Sequence, residues 1–383
     1  MSSNRESFDV LIDRSGTNAV KWDYRQTNRA GQPVLPMWVA DMDFAVPPAV
    51  MSALRRRLEH PVFGYTFASD AFRDAFRSWQ AERNGWQIDP QSMLFSPGVM
   101  PSVRAAILAF SEPGDEVVIQ PPVYFPFFSA IRENGRVVVE NPLREVGLSA
   151  GGDAAAAGSR GAAAPGMAGP GAAGPGVAGA GARYEGARYE MDLEHLESVI
   201  SPRTKILLLC SPHNPVGRVW SRDELAAVAE IAARHGLVVI ADEIHSDITR
   251  SEVPFIPYAT VGDEAESHAV VCISPTKTFN VAGLSSSHVV IPDPELRARF
   301  EETLSRLGAT LPNTLSLEAS RAAYAEGSEW TDALLEYLDE QIAWFAGEIV
   351  SRFGAARVRE RDPAVRLAPI EGTYLAWLDL RPL

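Results

Sequence analysis

The stretch Ser274-Pro-Thr-Lys-Thr-Phe-Asn280 decides how this 383-residue chain is read. An apolar run, His268-Ala-Val-Val-Cys-Ile-Ser274, leads into it as a buried strand, and Lys277 follows in a Ser/Thr-rich turn. A lysine placed just past a strand end, in a pocket that desolvates its amine, is suited to covalent chemistry. Three upstream segments repeat the arrangement: Pro122-Val-Tyr-Phe-Pro126 after the run Glu116 to Gln120, Ser211-Pro-His-Asn-Pro-Val-Gly-Arg218 after Ile206 to Cys210, and Ala241-Asp-Glu-Ile-His245 after Leu237 to Ile240. Polar groups beyond successive strand ends of an α/β sheet converge on one crevice. Such a crevice would suit a cofactor.

The order strand, helix, strand recurs from Val99 to Ile291 and predicts a mainly parallel sheet with helices on both faces. Before it, Pro47-Pro48 opens a helix through Val50, Leu54 and Leu58, and a second helix is predicted over Asp70 to Arg83. After Pro292 come helical stretches at Glu295 to Leu307, Leu315 to Ala325 and Trp330 to Phe353, then a strand at Tyr374 to Leu380. Gly98-Val-Met-Pro101 precedes a helix predicted from Ser102 to Phe110, so the backbone N–H groups of Val99 and Met100 can cradle an anion.

Composition narrows the function class. A net charge of −14 argues against nucleic acid or an anionic membrane as partner and favours a small molecule. No run of about 18 apolar residues could span a bilayer, and no N-terminal basic-then-apolar segment marks a leader, so a cytoplasmic location is expected. Cys210 and Cys272 both close apolar runs and read as buried thiols, and no metal site is called for. Between Ser149 and Ala182 almost every residue is Ala, Gly or Pro, a composition expected to remain a disordered surface insertion, taken as 149–186. Beside it, Gly181-Ala-Arg-Tyr-Glu185 is repeated as Gly186-Ala-Arg-Tyr-Glu190; both copies read as expansions without a catalytic role.

Together these segments resemble the fold-type I pyridoxal phosphate (PLP) enzymes, within the class I/II aminotransferases, and among them the MalY/PatB-type cystathionine β-lyases, or C–S lyases. The resemblance runs from Val20-Lys-Trp-Asp23 through Trp38-Val-Ala-Asp-Met-Asp-Phe44, Phe63-Gly-Tyr-Thr66 and Ser211 to Trp220, to Glu371-Gly-Thr-Tyr-Leu-Ala-Trp377. It implies a large PLP-binding domain with a seven-stranded sheet over 46–291, and a smaller α+β domain from 292–383 joined by an N-terminal arm, 1–45. It further implies that Lys277 carries PLP covalently and acts as base, that Asp242 pairs with the pyridine nitrogen, and that Asn214 and His245 face the ring oxygen. Tyr124 would stack on the ring. Val99, Met100 and Ser274 would hold the phosphate, with Tyr65 reaching the neighbouring subunit's site in a homodimer. Trp38, Asp41 and Asp43 fall at the substrate entrance, and His213 and Trp220 read as structural. The family pattern continues about 40 to 50 residues past Trp377, where an arginine clamps the substrate carboxylate; this chain ends at Leu383, so the small domain is expected to be truncated. The activity implied is β-elimination from cystathionine or related cysteine S-conjugates. The alternatives are an aminotransferase on the same cofactor and a PLP-binding regulatory protein that contacts a transcription factor.

Overall fold

Parallel strands buried on both faces need apolar residues at every position, and the runs quoted above supply them. The computed structural model describes residues 5, 7–24, 27–147, 187–353 and 365–381. In it, β1 (Met93–Ser96), β2 (Glu116–Ile119), β3 (Val137–Glu140), β4 (Arg144–Gly147), β5 (Ala187–Glu190), β6 (Thr204–Cys210), β7 (Val238–Asp242), β8 (Ala269–Ile273) and β9 (Ser287–Val290) follow one another along the chain. Seven of them form one sheet in the order β1-β9-β8-β7-β6-β2-β3. The pairs from β8 to β3 are parallel, while β9 runs antiparallel to both neighbours. The chain is α/β, with the mainly parallel sheet that the sequence predicts and the seven strands that the resemblance implies.

Alternation along each strand divides the core in two. Ile206, Leu208, Ile240 and Val270 pack with the helices Val99–Phe110, Pro126–Glu133 and Pro294–Arg306 through Val103, Ile107, Phe127, Ile131, Phe300 and Leu304. Leu207, Leu209, Val239 and Val271 face the other way, toward Leu225 and Val228 of the helix Arg222–His235. That helix begins with a reciprocal capping box between Ser221 and Glu224, and stops at Gly236, whose φ of 64° is the left-handed turn that glycine adopts without a Cβ clash.

Most predicted helices appear within a residue or two of their expected ends: Pro48–Leu58, Asp70–Asn84, Pro294–Arg306, Thr314–Glu326 and Ser328–Phe353. Three readings are corrected. The helix expected from Ser102 begins at Val99, because Gly98 occupies the cap position. The strand expected over Tyr374 to Leu380 shrinks to Leu378–Asp379, paired with Arg366–Leu367. Residues 371–373 are instead held by single bonds to neighbouring loops: Gly372 N–H donates to Gly217 O (2.9 Å) and Thr373 N–H to Ile248 O (2.7 Å). The second copy of the tandem repeat is also no mere expansion. Its residues 187–190 are β5, hydrogen-bonded to β4, and Tyr189 is buried with its hydroxyl accepting from Trp377 Nε1 at 3.0 Å. The Ala/Gly/Pro tract and the first copy lie outside the described residues.

One buried cation ties the middle of the chain to its C-terminal segment. Arg218 donates to Tyr189 O at 2.7 Å, to Glu224 at 2.6 Å and to Glu371 at 2.5 Å, so two carboxylates offset the cost of burying it. Alongside, Gly372 lies so close to the 211–220 loop that an added Cβ would sit 2.8 Å from Val219 Cγ2 and 3.0 Å from Pro212 Cβ. Gly372→Ala is therefore expected to destabilise the protein by about 1–3 kcal/mol through overpacking, read as a lower urea midpoint.

Candidate active site

Asp242 closes β7 and points to the same face as Ile240. Its register partners on the two flanking strands are Cys210 and Cys272, both fully buried free thiols. The carboxylate is 4% exposed and accepts one hydrogen bond, from Ile244 N–H at 3.2 Å. Burial pushes its pKa up to about 7, with the Ile244 N–H and the charge of Lys277 pulling the other way. Glu243 faces elsewhere, accepting from Tyr258 N–H at 2.7 Å.

Lys277 lies in the connection from β8 to β9, on the short helix Pro275–Thr278. Ser274 caps that helix, and its hydroxyl lies 2.8 Å from Thr276 Oγ1 in the same turn and donates to Ser286 O, just before β9, at 2.6 Å. Thr278 Oγ1 donates to the buried Asp247 (2.7 Å), which also accepts from Trp79 Nε1 (2.8 Å). Asn280, at a φ of 57°, donates through Nδ2 to Met42 O (3.0 Å) and Phe44 O (2.8 Å) and accepts from Met42 N–H (3.1 Å). The arm loop 40–44 is thereby fastened to the lysine's own turn. From it the Ala40 carbonyl accepts hydrogen bonds from Lys277 Nζ and from Tyr374 Oη, the latter at 2.9 Å. Burial lowers the Lys277 pKa, opposed by the charges of Asp41 and Asp242.

His245 is buried, and neither ring nitrogen has a hydrogen-bond partner among the described residues. Burial and the Lys277 charge drive its pKa down to about 3, so the ring is neutral. Tyr374 meets it edge-on at 5.9 Å. Tyr124, half-buried, packs edge-on against Phe127 and feels the Asp242 charge, which with burial raises its pKa. Asn214 follows β6 in the loop just beyond Cys210. The helix Val99–Phe110 starts at Gly98 with no side-chain cap, leaving its first amides, Val99 and Met100, directed out of the helix end.

Other expected residues separate from this group. Tyr65 is 96% exposed, and Trp38 is exposed rather than core. Asp41 and Asp43 are bound by Arg14 (2.7 Å to each), and Asp43 also by Lys21 (2.7 Å) and Trp22 (2.7 Å); together they line a cavity of about 300 Å³ with Met42 and Asn280. His213 and Trp220 are buried and structural: His213 Nε2 lies 2.9 Å from Pro122 O, and Trp220 Nε1 donates to Cys210 O. The groups not singled out from the sequence as site residues are Ala40, Asp247, Asn280 and Tyr374.

The buried acid, the unpartnered neutral imidazole, the desolvated amine and the uncapped helix start suit a ligand that carries a protonated ring nitrogen, a ring oxygen, an aldehyde and a phosphate. Known proteins agree. The model of the aminotransferase class I and II family matches residues 33–150 and 178–382. The chain belongs to that family. Cystathionine beta-lyase PatB of Bacillus subtilis is 37% identical over 374 residues, covering 97% of this chain and 84% of PatB. Among solved structures, a PLP-bound putative aminotransferase from Clostridium difficile is 33% identical with a TM-score of 0.82, covering 98% of this chain and 84% of its own. The PLP-bound C-S lyase of Staphylococcus hominis is 28% identical with a TM-score of 0.76, covering 97% and 82%.

Asp242 gives this site a pH signature. Its folded pKa, about 7, exceeds the unfolded carboxylate value of about 3.9. Between those values the folded chain binds more protons, so stability falls as pH rises. Cofactor-free Asp242→Asn should therefore melt above the cofactor-free parent at pH 8, by roughly 1–4 kcal/mol, with the gap closing toward pH 4 in a calorimetric pH series.

Proposed function

We infer that this protein works through PLP as a carbon–sulfur β-lyase, taking cystathionine or a related cysteine S-conjugate to a thiol, pyruvate and ammonia. The observation that carries this is the meeting of the Lys277 amine and the buried Asp242 carboxylate in a chain 37% identical to a cystathionine beta-lyase over almost its whole length. PLP supplies an aldehyde that binds amines and a protonated ring that takes up the electron pair left at Cα.

The chain's own residues do the rest. Asp242, buried and short of partners, gives the ring N–H a carboxylate, and that ion pair stabilises both charges. Lys277, once its amine is free, takes the proton from Cα. The electron pair then expels the thiolate from Cβ, and the released aminoacrylate is hydrolysed by water. Asn214 and His245 serve the ring oxygen, and a neutral His245 is suited to donate there without adding charge. Tyr124 stacks on the ring. Val99 and Met100 offer amides to the phosphate, and Ser274 shapes the turn beside it.

A homodimer belongs to the same reading. Leu11, Met37, Tyr65, Phe67 and Phe125 are all more than three-quarters exposed and Leu35 is 64% exposed, apolar side chains suited to contact with a second copy whose Tyr65 reaches the phosphate. The domain division at 45 and 291 and a cytoplasmic location complete it; among the described residues no helix is long and apolar enough to cross a membrane. A second reading, transamination, is favoured by the name of the Clostridium difficile structure and uses the same lysine.

The test is pyruvate release from cystathionine by the PLP-loaded protein without added keto acid. Release is expected, with a loss of at least about 10³-fold in Lys277→Ala; turnover only with a keto-acid acceptor would favour transamination.

A further inference from the structure

The Ala40 carbonyl receives two donors, the Lys277 amine and the Tyr374 hydroxyl. A carbonyl has two lone-pair directions, and here both are used. The acceptor is fixed rather than adaptable. Asn280 clasps residues 42–44 with three hydrogen bonds, and Asn280 is only three residues from Lys277. Tyr374 is fixed in turn: the Thr373 N–H is bonded to Ile248 O, Glu371 is bound by Arg218, and the Tyr374 ring lies against His245.

We propose that Tyr374 is a positioning residue for Lys277: by sharing the Ala40 carbonyl, its hydroxyl holds that acceptor in register and weakens its pull on the charged form of the amine. This rests on the reading of Lys277 as the lysine that carries PLP and acts as base. A neutral amine that donates one N–H to a fixed carbonyl has its lone pair directed by that bond, which is what proton abstraction requires. An ammonium bonded to an unshared carbonyl is held more tightly in its charged form. The charged or titratable groups facing this pair are Asp41 on the arm loop, Asp242 at the end of β7 and His245 after it. Asp41 and Asp242 favour the charged lysine, so a neutral competitor for the Ala40 oxygen acts against them.

The experiment uses the full chain without cofactor. Competitive acetylation of Lys277 by acetic anhydride across pH, read by peptide mass spectrometry, gives the midpoint at which the amine becomes reactive. Tyr374→Phe removes the hydroxyl alone and is expected to raise that midpoint by on the order of half a unit or more. Replacing Tyr374 by 3-fluorotyrosine, a stronger donor of the same shape, should move it the opposite way and covers the case in which the phenylalanine variant does not fold. With PLP bound, the acid limb of kcat, which reports the substrate complex in which the lysine amine is free, should shift in the same direction as the labelling midpoint, whereas a purely structural role would lower the melting temperature and leave the limb in place. An unchanged midpoint in both variants overturns the proposal. A Lys277→Ala protein that still develops the parent's PLP absorption band would overturn the underlying reading instead, and the two failures are distinct.

Discussion

A carboxylate buried at the end of a central strand is the constraint around which this molecule is arranged. Asp242 sits between two thiols in register, and among the described residues it accepts one hydrogen bond, from a backbone N–H. Without a cation the cheaper state is the protonated one, which is why burial carries its pKa to about 7. A charge in that position needs strong compensation, and the surroundings concentrate on a single spot just beyond the strand end. β6, β7 and β8 run parallel and end together, so the loops bearing Asn214, His245 and Lys277 emerge side by side.

Position within the spot comes from contacts of long sequence separation. The Asn280 carboxamide ties the lysine turn to a segment more than 230 residues earlier, and Arg218 ties the loop after β6 to Glu371 more than 150 residues later. Each such bond is worth about 1 kcal/mol net, and more where charge is involved, so none is a large part of stability. Their value is geometric. A displacement of 1 Å at the amine costs far more in rate than in folding free energy, and bonds that converge on Ala40 and Lys277 from the arm, the β8–β9 connection and the C-terminal segment resist such displacement.

The central strands were legible because burial on both faces removes the ambiguity of period: every residue from Ile206 to Cys210 must be apolar, whichever face it serves. Lys277 and Asp242 could be proposed from the sequence only through the order and spacing of the motifs around them, since a single charged residue beyond such a run has ordinary structural readings, as Glu243 shows. The Ala40 carbonyl had no such signal, since every residue carries one. Tyr374 lay inside a stretch read as a strand, and its apolar and aromatic content does resemble one; residues 371–373 are held instead by separate bonds to Gly217 and Ile248, which no local pattern encodes. The second copy of the tandem repeat looked like a duplication, yet it pairs antiparallel with β4 and buries Tyr189 against Trp377, a contact visible only once residues 189 and 377 are brought together.

The ionisable groups here share one property that bears on how folding and function trade against each other. His245 is held neutral with its pKa near 3, Asp242 is raised to about 7 and Glu243 to about 8, each chiefly by burial. For both acids, raising the pH from about 4 toward neutrality removes stability, because the unfolded chain releases protons that the folded one retains. Asp242 differs from Glu243 in what can reverse this. A protonated ring nitrogen beside it favours the ionised carboxylate, so the same pH range that weakens the empty site strengthens its hold on a cationic ring. Glu243, turned toward Tyr258, has no such partner to gain. On the proposed reading the stability withheld at Asp242 is returned on binding, whereas that at Glu243 is a standing cost of the strand end.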